Sequence, residues 1–139
     1  MDRMDDVQRL AEIFQRFPDV QAVYLFGSRA TARAHTGSDL DLAIVPRHAR
    51  LRERRLDILA ELVRHGFGNV DLVFLDTPDI VLQYEAVREN RLVYQAEDFD
   101  RGTTYSRIVR AYLDFLPYLR VQREAYKRRI LSGQARSDP

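Results

Sequence analysis

The chain has 139 residues, 45% of them hydrophobic, which excludes wholesale disorder and bounds the protein to one compact domain with its own core. Lys and Arg number 22 against 21 Asp and Glu, a balance that excludes a bulk cationic coat for nucleic acid and leaves only local basic patches. There is no cysteine, so disulfides and thiolate metal sites are excluded; no run of about 18 apolar residues offers a membrane span, and the acidic segment 1–6 lacks an apolar signal core, so a cytoplasmic protein is expected.

In chain order, Val7, Leu10, Ala11, Phe14 and Phe17 fall on one helical face, with Asp5 as N-cap and Gln8 three residues on. Pro18-Asp19 interrupts that pattern. Val20–Phe26 reads as a strand ending at Gly27-Ser28, followed by a short helix over 29–34 and a turn over 35–38. Residues 39–45 form a second strand, stopped by Pro46. Helical spacing returns with Leu51, Leu56, Leu59, Leu62 and Val63 and ends at Gly66 and Gly68. Residues 70–75 read as a third strand. Thr77-Pro78 supplies an N-cap and first position for a helix running to about Asn90, and 92–94 a short strand.

The last third differs in character. From Tyr105, the positions Val109, Tyr112, Leu116, Leu119, Tyr126 and Ile130 step by four and three, with Arg123 in the seam. Pro117 lies inside this run and is expected to kink or break the helix. The order of elements implies an α/β (α+β) fold: a small mixed sheet flanked by helices, with a long C-terminal helix. Residues 1–100 are assigned to the main domain, 101–132 to a helical extension open to a partner, and 133–139 to a polar tail.

The chemistry concentrates in the carboxylates. Side chains alternate along a strand, so Asp39 and Asp41 share a face with Ala43 and Val45, while Leu40, Leu42 and Ile44 cover the other. Two carboxylates so spaced, about 6.5–7 Å apart, repel each other and can hold a pair of divalent ions. Asp71 stands near the start of an otherwise apolar strand, where an acid needs a partner. If that strand neighbours the second, Asp71 faces the same ions, and three oxygen donors with open positions suit magnesium. Read singly, Asp-x-Asp is also an ordinary strand-edge pattern and Gly-Ser an ordinary turn. Gly27 lets backbone approach a ligand, Ser28 and the following helix start offer phosphate donors, and Arg29 and Arg33 add positive charge.

Gly27-Ser28, ten residues, then Asp39-Leu40-Asp41, each joined to a strand, resembles the signature of the DNA polymerase β nucleotidyltransferase superfamily. Within it the chain looks most like the minimal nucleotidyltransferases, the MntA-type antitoxins of HEPN/MNT toxin–antitoxin pairs, over about Val7 to Tyr94. It departs from them at Thr31-Ala32, where relatives often carry Arg-Gly. The resemblance implies a polymerase-β-like nucleotidyltransferase fold with two Mg2+ ions held by Asp39, Asp41 and Asp71, and ATP as substrate held at Gly27, Ser28 and Arg29. It further implies transfer of AMP to a tyrosine of a cognate HEPN ribonuclease toxin in a hetero-oligomer, with neither a membrane nor stable nucleic-acid binding. The alternatives are a binding module acting by occlusion, and transfer to a small molecule or RNA end.

The remaining polar residues carry less. His35, His48 and His65 lack metal-ligand spacing. Arg47, Arg50, Arg52, Arg54 and Arg55 read as a solvated helix start, with an RNA or acidic-partner contact as the other reading. Phe14, Phe17, Phe26 and Phe74 are assigned to the core.

Overall fold

The computed structural model describes residues 3–27 and 40–132. Four strands, β1 (Val20–Phe26), β2 (Leu40–Pro46), β3 (Val70–Phe74) and β4 (Leu92–Gln95), form one mixed sheet in the order β3-β2-β1-β4. β1 runs antiparallel to both β2 and β4, whereas β2 and β3 are parallel. A parallel return needs a crossover. Here it is a 3-10 turn at Ala49–Arg54 leading into α2 (Arg55–Arg64), where the helical spacing suggests a single helix from Leu51.

Helices cover both sheet faces. On one side α1 (Arg3–Gln15) and α2 bury Leu10, Ile13, Phe14, Ile58 and Leu62 against Val23, Leu42, Ile44, Leu72 and Phe74. On the other, α3 (Ile80–Val87) and α4 (Arg101–Ser132) bring Ala86, Val87 and Ile108 onto Ala22, Tyr24, Ala43 and Leu75. Burying each large aliphatic side chain contributes about 1.5–3 kcal/mol, so the central strands are held from both sides. A register shift between Val20 and Ala22 moves Val20 into the α1/α2 core although Ala22, two residues on, packs under α3 and α4. A bulge of this kind reverses the parity that a period-2 reading assumes. Among the described residues no helix is long and apolar enough to cross a membrane.

The start of α1 and both ends of α3 differ from expectation. α1 starts before Asp5, which leaves Asp5 and Asp6 in its first turn, near the free N–H groups. The cap of α3 is Asp79, whose carboxylate accepts from Leu82 N–H at 3.0 Å; Thr77 Oγ1 instead accepts from Asp79 N–H, and Pro78 lies outside the helix. α3 ends at Val87, and Asn90 takes a left-handed φ of 54°. α4 begins at Arg101 because Asp100 caps it, accepting from Thr103 N–H at 3.0 Å and from the Thr103 hydroxyl at 2.9 Å. Pro117 sits inside α4 without ending it. The hydrogen bond that proline removes would have ended on the carbonyl of Leu113, an exposed residue.

Loop ends at the far side of the sheet are tied by Arg47. Its guanidinium grips Asp98 in a fork, at 2.5 and 2.8 Å, and its Nε donates to Pro18 O. The Arg47 hydrogen bond holds the Asp98 carboxyl below its ordinary range. A carboxyl depressed in the folded state stabilises above its unfolded value, about pH 4, and that contribution is lost as pH falls through the lowered value. The stability difference between the wild-type protein and Asp98→Asn is therefore expected to shrink as pH drops below about 4, read from urea melts across pH 2.5–7. Tyr24 offers a second check. It is fully buried, edge-on to Phe99, and its hydroxyl has no hydrogen-bond partner among the described residues. An unsatisfied buried hydroxyl costs about 1–3 kcal/mol, so Tyr24→Phe should be neutral or raise the unfolding free energy, and a loss above about 1 kcal/mol would show that the hydroxyl is satisfied.

Candidate active site

The topology gathers three of the singled-out residues at one end of the sheet. β1 ends where its antiparallel neighbour β2 begins, and β3, parallel to β2, begins beside it. In that register Phe26 pairs with Asp41, and Asp41 pairs with Asp71. The conditional placement of Asp71 is thereby decided: the two carboxylates are direct neighbours on adjacent strands, about 4.8 Å apart at the backbone. They share the sheet face that further along carries Ala43 and Val73 beneath α3 and α4. Asp41 is half-buried and Asp71 exposed, so the acid pair opens to solvent from the edge of a buried surface.

Gly27 closes the site on the β1 side. Its φ is +82°, a backbone state that glycine adopts without strain. A Cβ at this position would overlap Asp41 Oδ2 and stand 3.1 Å from Asp41 Cγ. The residue is thus required twice, once by the turn and once by the carboxylate packed against it. Asp39, Ser28 and Arg29 lie outside the described residues. Among the described residues no group of three acidic or histidine side chains forms a metal-binding cluster. Asp41 and Asp71 nevertheless make a donor pair of the right chemistry for a hard divalent cation: adjacent, acidic, in register and open on one side.

The other end of the same strands is different. A cleft of about 420 Å³ lies there, lined among others by Val45, Pro46, Leu75, Thr77, Gln83 and Arg107. Val45 stands four positions on from Asp41, about 13 Å along the strand, so this cleft is apart from the carboxylates. The basic run is largely consumed by pairing. Arg52 meets Asp76 at 2.6 Å, Arg54 meets Asp57 at 3.1 Å, and Arg55 donates to Leu72 O on the sheet edge. His65 rests on Glu61 O at 2.9 Å, and His48 is exposed. Phe14, Phe17 and Phe74 are buried as expected, whereas Phe26 is half-buried beside Asp41. Neither its pairing with Asp41 nor the stacking of Tyr84 on Tyr112, centroids 3.9 Å apart, had a local signal in the sequence.

Residues 8–99 match the polymerase beta nucleotidyltransferase family. The chain belongs to that family. The protein adenylyltransferase MntA of Shewanella oneidensis is 24% identical over 100 residues, 72% of either chain. Among solved structures, a toxin–antitoxin complex with AMP-PNP superposes with a TM-score of 0.69 at 21% identity, over 91% of this chain and 98% of that one. A tri-AMPylated Shewanella oneidensis HEPN toxin in complex with its MNT antitoxin gives 0.67 at 19% identity, over 94% and 99%. These likenesses establish the nucleotidyltransferase fold for the chain from α1 into α4.

The dependence of the Asp41 carboxylate on Gly27 is testable. Gly27→Ala is expected to turn that carboxylate away and to cut nucleotidyl transfer about 100-fold or more, while the folded state loses only about 1–2 kcal/mol. Activity within twofold of wild type in a folded Gly27→Ala protein would show that Asp41 is not held by this contact.

Proposed function

We propose that this protein is a Mg2+-dependent protein adenylyltransferase that transfers AMP from ATP to a tyrosine of a cognate HEPN-domain toxin and so neutralises it. The observation that carries the reading is the in-register pairing of Asp41 with Asp71 beside Gly27, at the end of the sheet where the family's signature begins. The relative named as a protein adenylyltransferase, and the neighbours described with AMP-PNP and with an AMPylated HEPN toxin, support the donor and the acceptor. ATP as donor also fits a cytoplasmic setting.

Asp39, Asp41 and Asp71 are the residues assigned to hold the two metal ions. When bound, those ions neutralise the triphosphate and the charge that builds on the transferring phosphorus. The chain's own part is positioning. Gly27, Ser28 and Arg29 hold the β- and γ-phosphates, Gly27 by admitting close backbone approach. Asp71, the more exposed of the paired acids, meets the incoming tyrosine hydroxyl and draws off its proton as the oxygen bonds to the α-phosphorus. The bond from the α-phosphorus to the bridging oxygen breaks, and pyrophosphate leaves with that electron pair. Phe26 and the apolar surface under α3 and α4 keep the inner side of the acid pair dry, which strengthens every charge interaction there.

Incubating the chain with its HEPN partner, Mg2+ and ATP should add one or more adenylyl units to the partner, read by intact mass. Asp41→Asn and Asp71→Asn should each lower that transfer about 100-fold or more while still binding the partner. No mass gain from folded wild-type protein would overturn the reading. Full neutralisation by an Asp41→Asn protein that transfers nothing would instead establish inhibition by occlusion, the second reading, which the uncovered end of α4 favours.

A further inference from the structure

α4 is longer than anything the molecule packs against it. Its 32 residues span about 48 Å, whereas α3, the helix it lies on, has 8 residues and spans about 12 Å. The covered part is short. Ile108 is buried, Tyr112 stacks face to face on Tyr84, and Leu116 and Leu119 are half-buried. Every residue from 120 to 132 is exposed, about 20 Å of helix that no other described element covers. Isolated helices of that length are marginal in water and gain their stability from packing an apolar face.

That face exists and is continuous. Ile108, Tyr112, Leu119, Tyr126 and Ile130 lie at helical spacings of four, seven, seven and four, so the stripe that packs on α3 runs on past its end. Tyr126 and Ile130 remain 55% and 45% exposed. Arg123, Lys127 and Arg129 border them, within three positions along the chain, while Arg128 lies on the far side of the helix; Glu124 is the one acid in segment 120–132. Two copies of so basic a surface repel each other when brought face to face. Nucleic acid would satisfy the charges and leave Tyr126 and Ile130 wet. A protein surface with an apolar helical stripe bordered by carboxylates satisfies both.

We infer that the distal half of α4, centred on Tyr126 and Ile130 and flanked by Arg123 and Lys127, is the docking surface for the protein partner, which presents an apolar stripe edged with Asp and Glu. The occupant is the HEPN-domain partner of the proposed function, and the inference rests on that reading for its identity. α4 then serves the molecule twice. Its first half completes the sheet face that carries the acid pair, and its second half holds the acceptor protein to the same rigid rod.

The test measures binding apart from transfer, by calorimetry with the purified HEPN-domain partner and no ATP. Tyr126→Ser/Ile130→Ser is expected to weaken binding about tenfold or more. Arg123→Glu/Lys127→Glu should weaken it and flatten its dependence on salt between 50 and about 500 mM. Val121→Ser, two positions on from Leu119 and so about 200° round the helix, should change it less than about twofold. Circular dichroism checks that each variant stays folded. Wild-type binding with all three variants unchanged overturns this docking surface and leaves the transferase reading intact. Binding lost in the stripe variants while the wild type adds no AMP upholds the surface and overturns the transferase reading. A wild-type chain that does not bind the partner overturns both. A homodimer of the chain alone, or single-stranded RNA binding, that the same substitutions abolish would assign the face to another occupant and overturn the inference.

Discussion

The site depends on a single pairing: β2 beside β3, parallel and in register, with Asp41 opposite Asp71. Shift that pairing by one residue and Asp71 turns to the α1/α2 side, into the layer occupied by Leu72 and Phe74. The register is held from both faces. Leu42 with Leu72 and Ile44 with Phe74 interlock in one core, and Ala43 with Val73 in the other. A slip would carry two apolar layers and two charges to the wrong sides at once. The charge cost of keeping two acids adjacent is thus offset by burial further along the same strands.

Gly27 belongs to the same constraint. β1 delivers its last residues against the start of β2, so its terminal turn falls on top of the Asp41 carboxylate. Only a residue without a Cβ, and with a left-handed φ available, allows that approach. The acid pair and the turn are consequently one structural unit, although 13 residues of chain separate Gly27 from Asp41 and 29 separate Asp41 from Asp71.

α4 shows the same economy on a larger scale. Asp100 starts it, the Tyr84–Tyr112 stack anchors it, and its stripe continues beyond the body of the domain. Pro117 falls on the transition between the covered and the bare half. Its lost hydrogen bond faces solvent, which is why a residue that ordinarily ends a helix does not end this one.

The sequence by itself determined the strands and the apolar face of β2, because period-2 alternation is a local property that survives without coordinates. It also placed α1 and α2 to within a turn. Caps were less legible. Thr77-Pro78 and Asp79 are equally good local signals, and only the geometry of the turn into α3 selects between them. The bulge between Val20 and Ala22 was invisible, since it arises from their pairing with Pro46 and Val45 on another strand. Tertiary structure alone decided that Asp71 joins Asp41, that Gly27 rests on its carboxylate, and that half of α4 is left bare. Each of these is a relation between segments distant along the chain, set by sheet order and helix length and by no property of either segment alone.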